Sequence, residues 1–263
     1  MPAETTEQTC YGTSDALLVC ILDMGELLLA NGAEILRVED TLTRLCTAYG
    51  FENINVFSIT SSIVLTVKCP DGRVITQTRR ISARDTNLQR VALVNDLSRG
   101  ICKAPVTVDE LQTKIQTIRT SKNCPLLVRC LCYAVISAVF SVFFGGSAWD
   151  GFAAALTGVL VFGIQHFMQK LRMNGILQCL LVSAFTALVV VMMVRLGIGD
   201  TPEKITIGNI MLLIPGVSFT TSLRDIVNGD TIAGLVGISE AVIKAIAIAI
   251  GFATVLVEVG GLL

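Results

Sequence analysis

The sequence predicts a membrane protein, with an N-terminal α+β cytoplasmic domain followed by an all-α bundle of five transmembrane helices. Three observations carry that prediction. Mean hydropathy is +0.70 over 263 residues, too apolar for an ordinary soluble chain. Charge is uneven: residues 1–125 hold 13 Lys/Arg and 14 Asp/Glu, leaving 7 of each for the rest. The second half also contains five apolar runs, roughly 126–144, 149–168, 176–196, 205–223 and 232–257. Each is long enough to cross a hydrocarbon core of ~30 Å at ~1.5 Å per residue.

The first half divides into a polar tail (1–13) and a domain over 14–122. The tail lacks a basic segment, so no cleavable signal peptide is expected. Ser14–Ala30 reads as an amphipathic helix, because Asp23 and Glu26 interrupt its apolar run, and it stops at Asn31-Gly32. A second helix, about Glu34–Ala48, stops at Tyr49-Gly50. Asn55–Ile59, Ile63–Lys68 and Arg73–Arg80 are rich in Val, Ile and Thr and read as strands. Pro70-Asp71-Gly72 supplies a turn between the last two. Helices about Thr86–Arg99 and Val108–Thr120 follow, with Asp85 expected to cap the first and Thr107 with Glu110 to form a capping box on the second.

The transmembrane domain, over 126–257, takes its orientation from short loops. Lys114, Arg119 and Lys122 precede the first span, no cation sits in 145–148, and Lys170 and Arg172 follow the second. Arg195 and Lys204 dilute the bias, and Arg224 follows the fourth. The expected arrangement has the N-terminal domain in the cytoplasm and the C-terminus outside.

Pro215-Gly216 breaks the fourth span. Proline removes a backbone donor, and in lipid a freed carbonyl needs protein or water as partner. Broken spans often line a transport site, although a tolerated kink is the plain alternative. Ser218, Thr220, Thr221 and Ser222 follow, positioned either to satisfy freed carbonyls or to line a polar path. Arg224 offers a planar fork for a carboxylate, with Asp225 or a lipid phosphate as its structural partner. Asp230 completes the charged cluster. In the fifth span Glu240 and Lys244 stand four apart, a favourable ion-pair order. They read as a self-satisfied pair, or as a proton carrier and an anion contact. Gly237, Ala241, Ala245, Ala249 and Ala253 form a small-residue stripe expected to meet a close neighbour.

In Gly145-Gly146-Ser147-Ala148-Trp149-Asp150, Ser147 and Asp150 fit a capping box and Trp149 an interfacial anchor. The functional alternative has Asp150 bind a proton at the outer end of a path. His166 suits a proton relay but reads more simply as an interfacial residue. The nine cysteines show no zinc-ligand spacing and are expected to be free. No phosphate-binding glycine loop and no catalytic constellation occurs, neither half is basic enough for nucleic acid, and no metal or cofactor is expected.

Taken together, Gly25-Glu26-Leu27-Leu28, Gly32-Ala33-Glu34 with Arg37-Val38-Glu39, and Ile63-Val64-Leu65-Thr66 resemble the cytoplasmic domain of the threonine/serine exporter family. Gly145-Gly146-Ser147 with Asp150, Leu213-Ile214-Pro215-Gly216, Arg224-Asp225, Gly229-Asp230 and Glu240-Ala241 extend the resemblance in order, from about 14 to about 257. The resemblance implies export of small amino acids or, in split relatives, dicarboxylates such as succinate. It also implies a partner: fused members carry about ten spans, and this chain is similar only to their first half. A second, smaller multi-span protein would supply the rest. The expected function is therefore a subunit of an inner-membrane exporter driven by proton-motive force. The rival is a membrane-anchored sensor or assembly module, and an enzyme is not expected.

Overall fold

A computed structural model describes residues 3–82, 85–121, 124–171 and 173–260, with the side chains of 3–13 and 258–260 left aside. Lys122 and Arg172, both used above for orientation, lie outside the described residues. The chain forms two compact units. The first takes 1–121 together with 217–238, and the second takes 122–216 together with 239–263.

The first unit begins with α1 (Ala3–Ala30) and α2 (Ile35–Ala48). Helix α1 starts in the stretch read as a polar tail, so that stretch continues the helix. Gly32, at φ +90°, ends α1, its N–H bonding Leu29 O at 3.3 Å. The sheet is a meander of β1 (Glu52–Ile59), β2 (Ser62–Lys68) and β3 (Val74–Arg80), antiparallel throughout and ordered β1-β2-β3. Its β2–β3 turn works as read: Gly72 takes φ +89°, and Asp71 Oδ1 accepts Arg73 N–H at 2.9 Å.

Alternation along β2 buries Ile63, Leu65 and Val67. They share a core with Leu18, Ile21 and Leu28 of α1 and Leu42 and Leu45 of α2. Gly25 makes this layer possible, because a Cβ there would stand 3.0 Å from Leu42 and 3.1 Å from Ile63. Asp23 and Glu26, the acids that interrupt the apolar run of α1, meet cations. Asp23 accepts from Arg79 at 2.6 Å, and Arg119 reaches Glu26 at 3.6 Å.

Helices α3 (Leu88–Lys103) and α4 (Val108–Arg119) complete the sequence-local part of this unit. Asn87, not Asp85, caps α3, its Oδ1 accepting Arg90 N–H at 3.1 Å. The helix starts two residues later than read, and Asp85 turns back to Thr86 N–H at 2.8 Å. Thr107 caps α4 as expected, its Oγ accepting Glu110 N–H at 3.4 Å.

The second unit holds α5 (Leu126–Phe143), α6 (Ala148–Lys170), α7 (Gly175–Arg195) and α8 (Pro202–Leu213). Helix α9 (Gly216–Val227) lies almost wholly in the first unit, and α10 (Thr231–Gly260) runs from the first into the second. Among the described residues four helices, α5, α6, α7 and α10, are long and apolar enough to cross a membrane, and the α8–α9 pair makes up to five. Tight contacts rest on glycine: a Cβ on Gly158 would come 2.8 Å from Tyr133 O, and one on Gly208 2.4 Å from Ser137 O.

The small-residue stripe of α10 departs from expectation. Gly237 and Ala241 are buried, but Ala245, Ala249 and Ala253 are exposed. Four-residue steps drift by about 40° each around a helix with 3.6 residues per turn. The contact line runs instead through Ala241, Ile248 and Gly251, where a Cβ on Gly251 would clash with Ser183 and Leu180 of α7.

Candidate functional site

In the second unit, the loop after α5 builds a carboxylate nest. Gly145 takes φ +88°, and Gly146 N–H bonds Ser141 O at 3.0 Å. A Cβ on Gly146 would meet that carbonyl at 2.8 Å, so glycine alone fits. Ser147 and Asp150 form the reciprocal capping box on α6, both bonds being 3.0 Å. The sequence did not reveal the remaining partners. Asp150 Oδ1 also accepts Asp200 N–H at 2.7 Å and Thr201 N–H at 2.8 Å. Asp150 is 1% exposed. Three backbone amides thus occupy its oxygens, and Ser147 Oγ donates to Asp200 Oδ2 at 3.1 Å. Lys204 Nζ donates to Phe144 O at 2.8 Å, and Trp149 Nε1 donates to Gly197 O at 3.1 Å. The group staples the α5–α6 loop to the α7–α8 loop. Gly197 and Gly199, both at positive φ, shape the turn that precedes Asp200.

The apolar run 205–223 breaks where the sequence placed the break. Helix α8 ends at Leu213, Ile214 is extended, and Gly216 N–H turns back to Ile214 O at 2.8 Å after Pro215. Of the polar residues that follow, Thr221 bonds the carbonyls of Val217 and Ser218 within its own helix. Ser222 is buried against α10, where a side chain on Gly237 would collide with it. Ser218 itself is half-buried.

In the first unit, Arg224 and Asp225 meet α2. Arg224 Nη1 donates to Glu34 Oε1 at 2.6 Å. Asp225, 6% exposed, accepts Ile35 N–H at 3.1 Å. Glu34 caps α2 in backbone only, so this remote carboxylate serves the first turn, where the helix dipole favours a negative charge. Among protein groups the bonded partner of Arg224 is Glu34, and not Asp225 as the sequence offered. Asp230 follows Gly229, whose φ of +101° ends α9, and its carbonyl accepts Gly234 N–H at 2.9 Å in the first turn of α10.

Glu240 and Lys244 lie along α10 in the second unit, Glu240 exposed and Lys244 half-buried. Lys244 Cε would stand 4.0 Å from a Cβ on Gly175, at the start of α7. The first unit thus holds the Arg224–Asp225–Glu34 cluster, and the second holds the Asp150 nest and, on α10, Glu240 with Lys244. Among the described residues no three His, Cys, Asp or Glu side chains cluster to hold a metal ion.

Span-length apolar helices joined to a small antiparallel sheet define an integral membrane protein. The chain belongs to the threonine/serine exporter family, whose model matches residues 19–258. It is 25% identical over 230 residues to the "Probable succinate transporter subunit YjjP" of Klebsiella aerogenes, covering 85% of this chain and 86% of that one. To the protein of the same name from Escherichia coli K12 it is 24% identical over 243 residues, covering 89% and 90%. No solved structure matches. A transporter is the class these likenesses support.

Proposed function

We propose that this chain is one subunit of a secondary-active exporter of small carboxylate-bearing metabolites. The family match over 19–258 carries the reading. The family description points to threonine and serine, and the relatives' names to succinate. All three carry a carboxylate, the group an arginine fork takes best. Arg224 is the residue proposed for that contact. Its side chain is 62% exposed, and Glu34 engages only Nη1, leaving other donors free for substrate. The interrupted run at Pro215-Gly216 supplies backbone polar groups, with Ser218 beside them. Glu240 is proposed as the proton carrier, because it is a carboxylate on an apolar helix long enough to cross a membrane. Asp150 and Lys244 are assigned supporting roles.

The word "subunit" in the relatives' names supports a partner, which the proposal takes to be a second, smaller multi-span membrane protein. The location proposed is the inner membrane, with the N-terminal domain cytoplasmic, the C-terminus outside and proton-motive force as the drive.

Counterflow of labelled threonine and succinate, in vesicles holding this chain and its partner, tests the reading. Wild-type vesicles are expected to exchange at least one substrate. Arg224→Ala is expected to cut flux at least about tenfold, since a charge-assisted bond contributes about 1.5–3 kcal/mol. The same variant should raise intracellular substrate in an efflux assay. Unchanged flux at normal membrane abundance would remove Arg224 from the mechanism. Absence of flux across a broad panel would favour a membrane-anchored sensor or assembly module instead.

A further inference from the structure

The face that α5 buries is polar. Its two buried residues are Ser137 and Ser141, about one turn apart, while Leu127, Leu131, Val135 and Val139 of the same helix are exposed. Polar side chains within a membrane bundle turn to its interior or to water. Helix α8 lies against α5, α6 and α7 and buries Ile205, Thr206, Gly208 and Asn209. Gly208 lets it sit directly on the serine pair: a Cβ there would collide with Ser137 O and stand 3.0 Å from Ser141 Cβ.

Four polar atoms on these two helices have no hydrogen-bond partner among the described residues: Ser137 Oγ, Ser141 Oγ, Thr206 Oγ1 and Asn209 Oδ1. Ser137, Ser141 and Asn209 are 0% exposed and Thr206 is 5% exposed. The buried hydroxyls of α6 and α7 are instead spent within their own helices. Thr157 donates to Ala153 O at 2.9 Å, Ser183 to Leu180 O at 2.9 Å and Thr186 to Val182 O at 2.7 Å. The unspent groups thus gather on α5 and α8. A buried polar group without a partner is costly, so this packing carries an unmet demand for hydrogen bonds that water would satisfy.

Helix α8 is anchored at its start and broken at its end. Thr201 N–H bonds Asp150 Oδ1 at 2.8 Å, and Lys204 Nζ bonds Phe144 O at 2.8 Å. At the far end Ile214 leaves the helical region at ψ 128°, and Pro215 offers no N–H. Such a terminal break can absorb the backbone change of a hinge.

We propose that α8 swings away from α5 about its Asp150 end, and that water then reaches Ser137, Ser141, Thr206 and Asn209, which line a substrate path held shut in this structure. The lining is uncharged, three hydroxyls and a carboxamide, so it hydrates a passing polar molecule without fixing it. That these groups line a path rests on the transport reading; that they meet water does not.

Alkylation by N-ethylmaleimide, which requires a thiolate and hence water, tests the opening in membrane vesicles holding the full chain and its partner. Modification is read peptide by peptide by mass, so the nine cysteines of the chain do not interfere. Ser137→Cys and Asn209→Cys are expected to react at least tenfold faster than Val190→Cys, an equally buried position in an apolar cluster. A second variant, Ser141→Ala with Thr206→Val, keeps the shape and removes two unspent hydroxyls. Its unfolding temperature is expected to hold or rise while counterflow falls at least tenfold. Reaction no faster than at Val190→Cys, full counterflow in the double variant, or a fall in both its unfolding temperature and its flux overturns the proposal. Labelling reads water and not substrate, so if wild-type vesicles show no counterflow the transport reading fails while the alkylation rates still decide whether α8 opens.

Discussion

Asp150 shows how one side chain can hold a loop pair in a membrane protein. Its carboxylate accepts from Ser147, Asp200 and Thr201 backbone amides while 1% exposed. A hydrogen bond to a charged acceptor contributes about 1–3 kcal/mol, least where water can replace the acceptor. Asp150→Ala removes the acceptor of three part-buried amide bonds, each worth about 1 kcal/mol, and is expected to destabilise the chain by about 2–3 kcal/mol. Asp150→Asn keeps one oxygen for Asp200 and Thr201 but loses the Ser147 bond, and should cost about 1–2 kcal/mol. Thermal unfolding in detergent, followed by Trp149 fluorescence, checks the order wild type, Asn, Ala. If Asp150→Ala unfolds with the wild type but loses flux, the carboxylate acts in transport and not as a staple. The capping half of this site was legible, because Ser147 and Asp150 have the spacing of a box. The Asp200 and Thr201 amides were not, since fifty residues separate them from Asp150 and only folding brings them together. The Arg224–Glu34 pair was hidden for the same reason, its members lying 190 positions apart.

At the level of elements, helix contact is decided by where glycine faces a neighbour. Gly208 of α8 and Gly163 of α6 are both mid-helix glycines in apolar runs. A Cβ on Gly208 would lie 2.4 Å from Ser137 O and 3.0 Å from Ser141 Cβ, whereas Gly163 has nothing within 4 Å. Overpacking a close contact costs about 1–3 kcal/mol. Removing glycine's backbone freedom from a helix gains about 0.5–1 kcal/mol where no contact opposes it. Gly208→Ala is therefore expected to lower the unfolding temperature and Gly163→Ala to raise it slightly. Shifts of equal sign would contradict the packing drawn here. Sequence reading located the elements well, because strand alternation, the Pro70-Asp71-Gly72 turn and the apolar runs are local signals. It misjudged which small residues of α10 pack, because four-residue spacing drifts away from the contact line that Ala241, Ile248 and Gly251 follow. Cap placement on α3 slipped for a related reason, two acceptors, Asp85 and Asn87, competing within three residues.

For the whole molecule, the break after Leu213 falls where the chain leaves one compact unit for the other, at 216/217. The sequence flags the break but not this coincidence, since unit membership depends on contacts made by Arg224, Asp225 and Ala233 with α2 and the first core. A proline inside a helix costs about 3 kcal/mol. Pro215→Ala would restore a donor for the carbonyl one turn earlier and let α8 run on towards α9. If the break were a tolerated kink, this substitution would stabilise the protein and leave flux intact. If the freed backbone serves transport, stability should hold or rise while counterflow falls at least tenfold. The second outcome is expected, because Ile214 leaves the helical region at φ −61° and ψ 128° and Gly216 N–H turns back to its carbonyl, a local arrangement a continuous helix erases. Counterflow separates the two outcomes, and an unfolding temperature measured on the same vesicle preparation shows that a fall in flux is not a loss of fold.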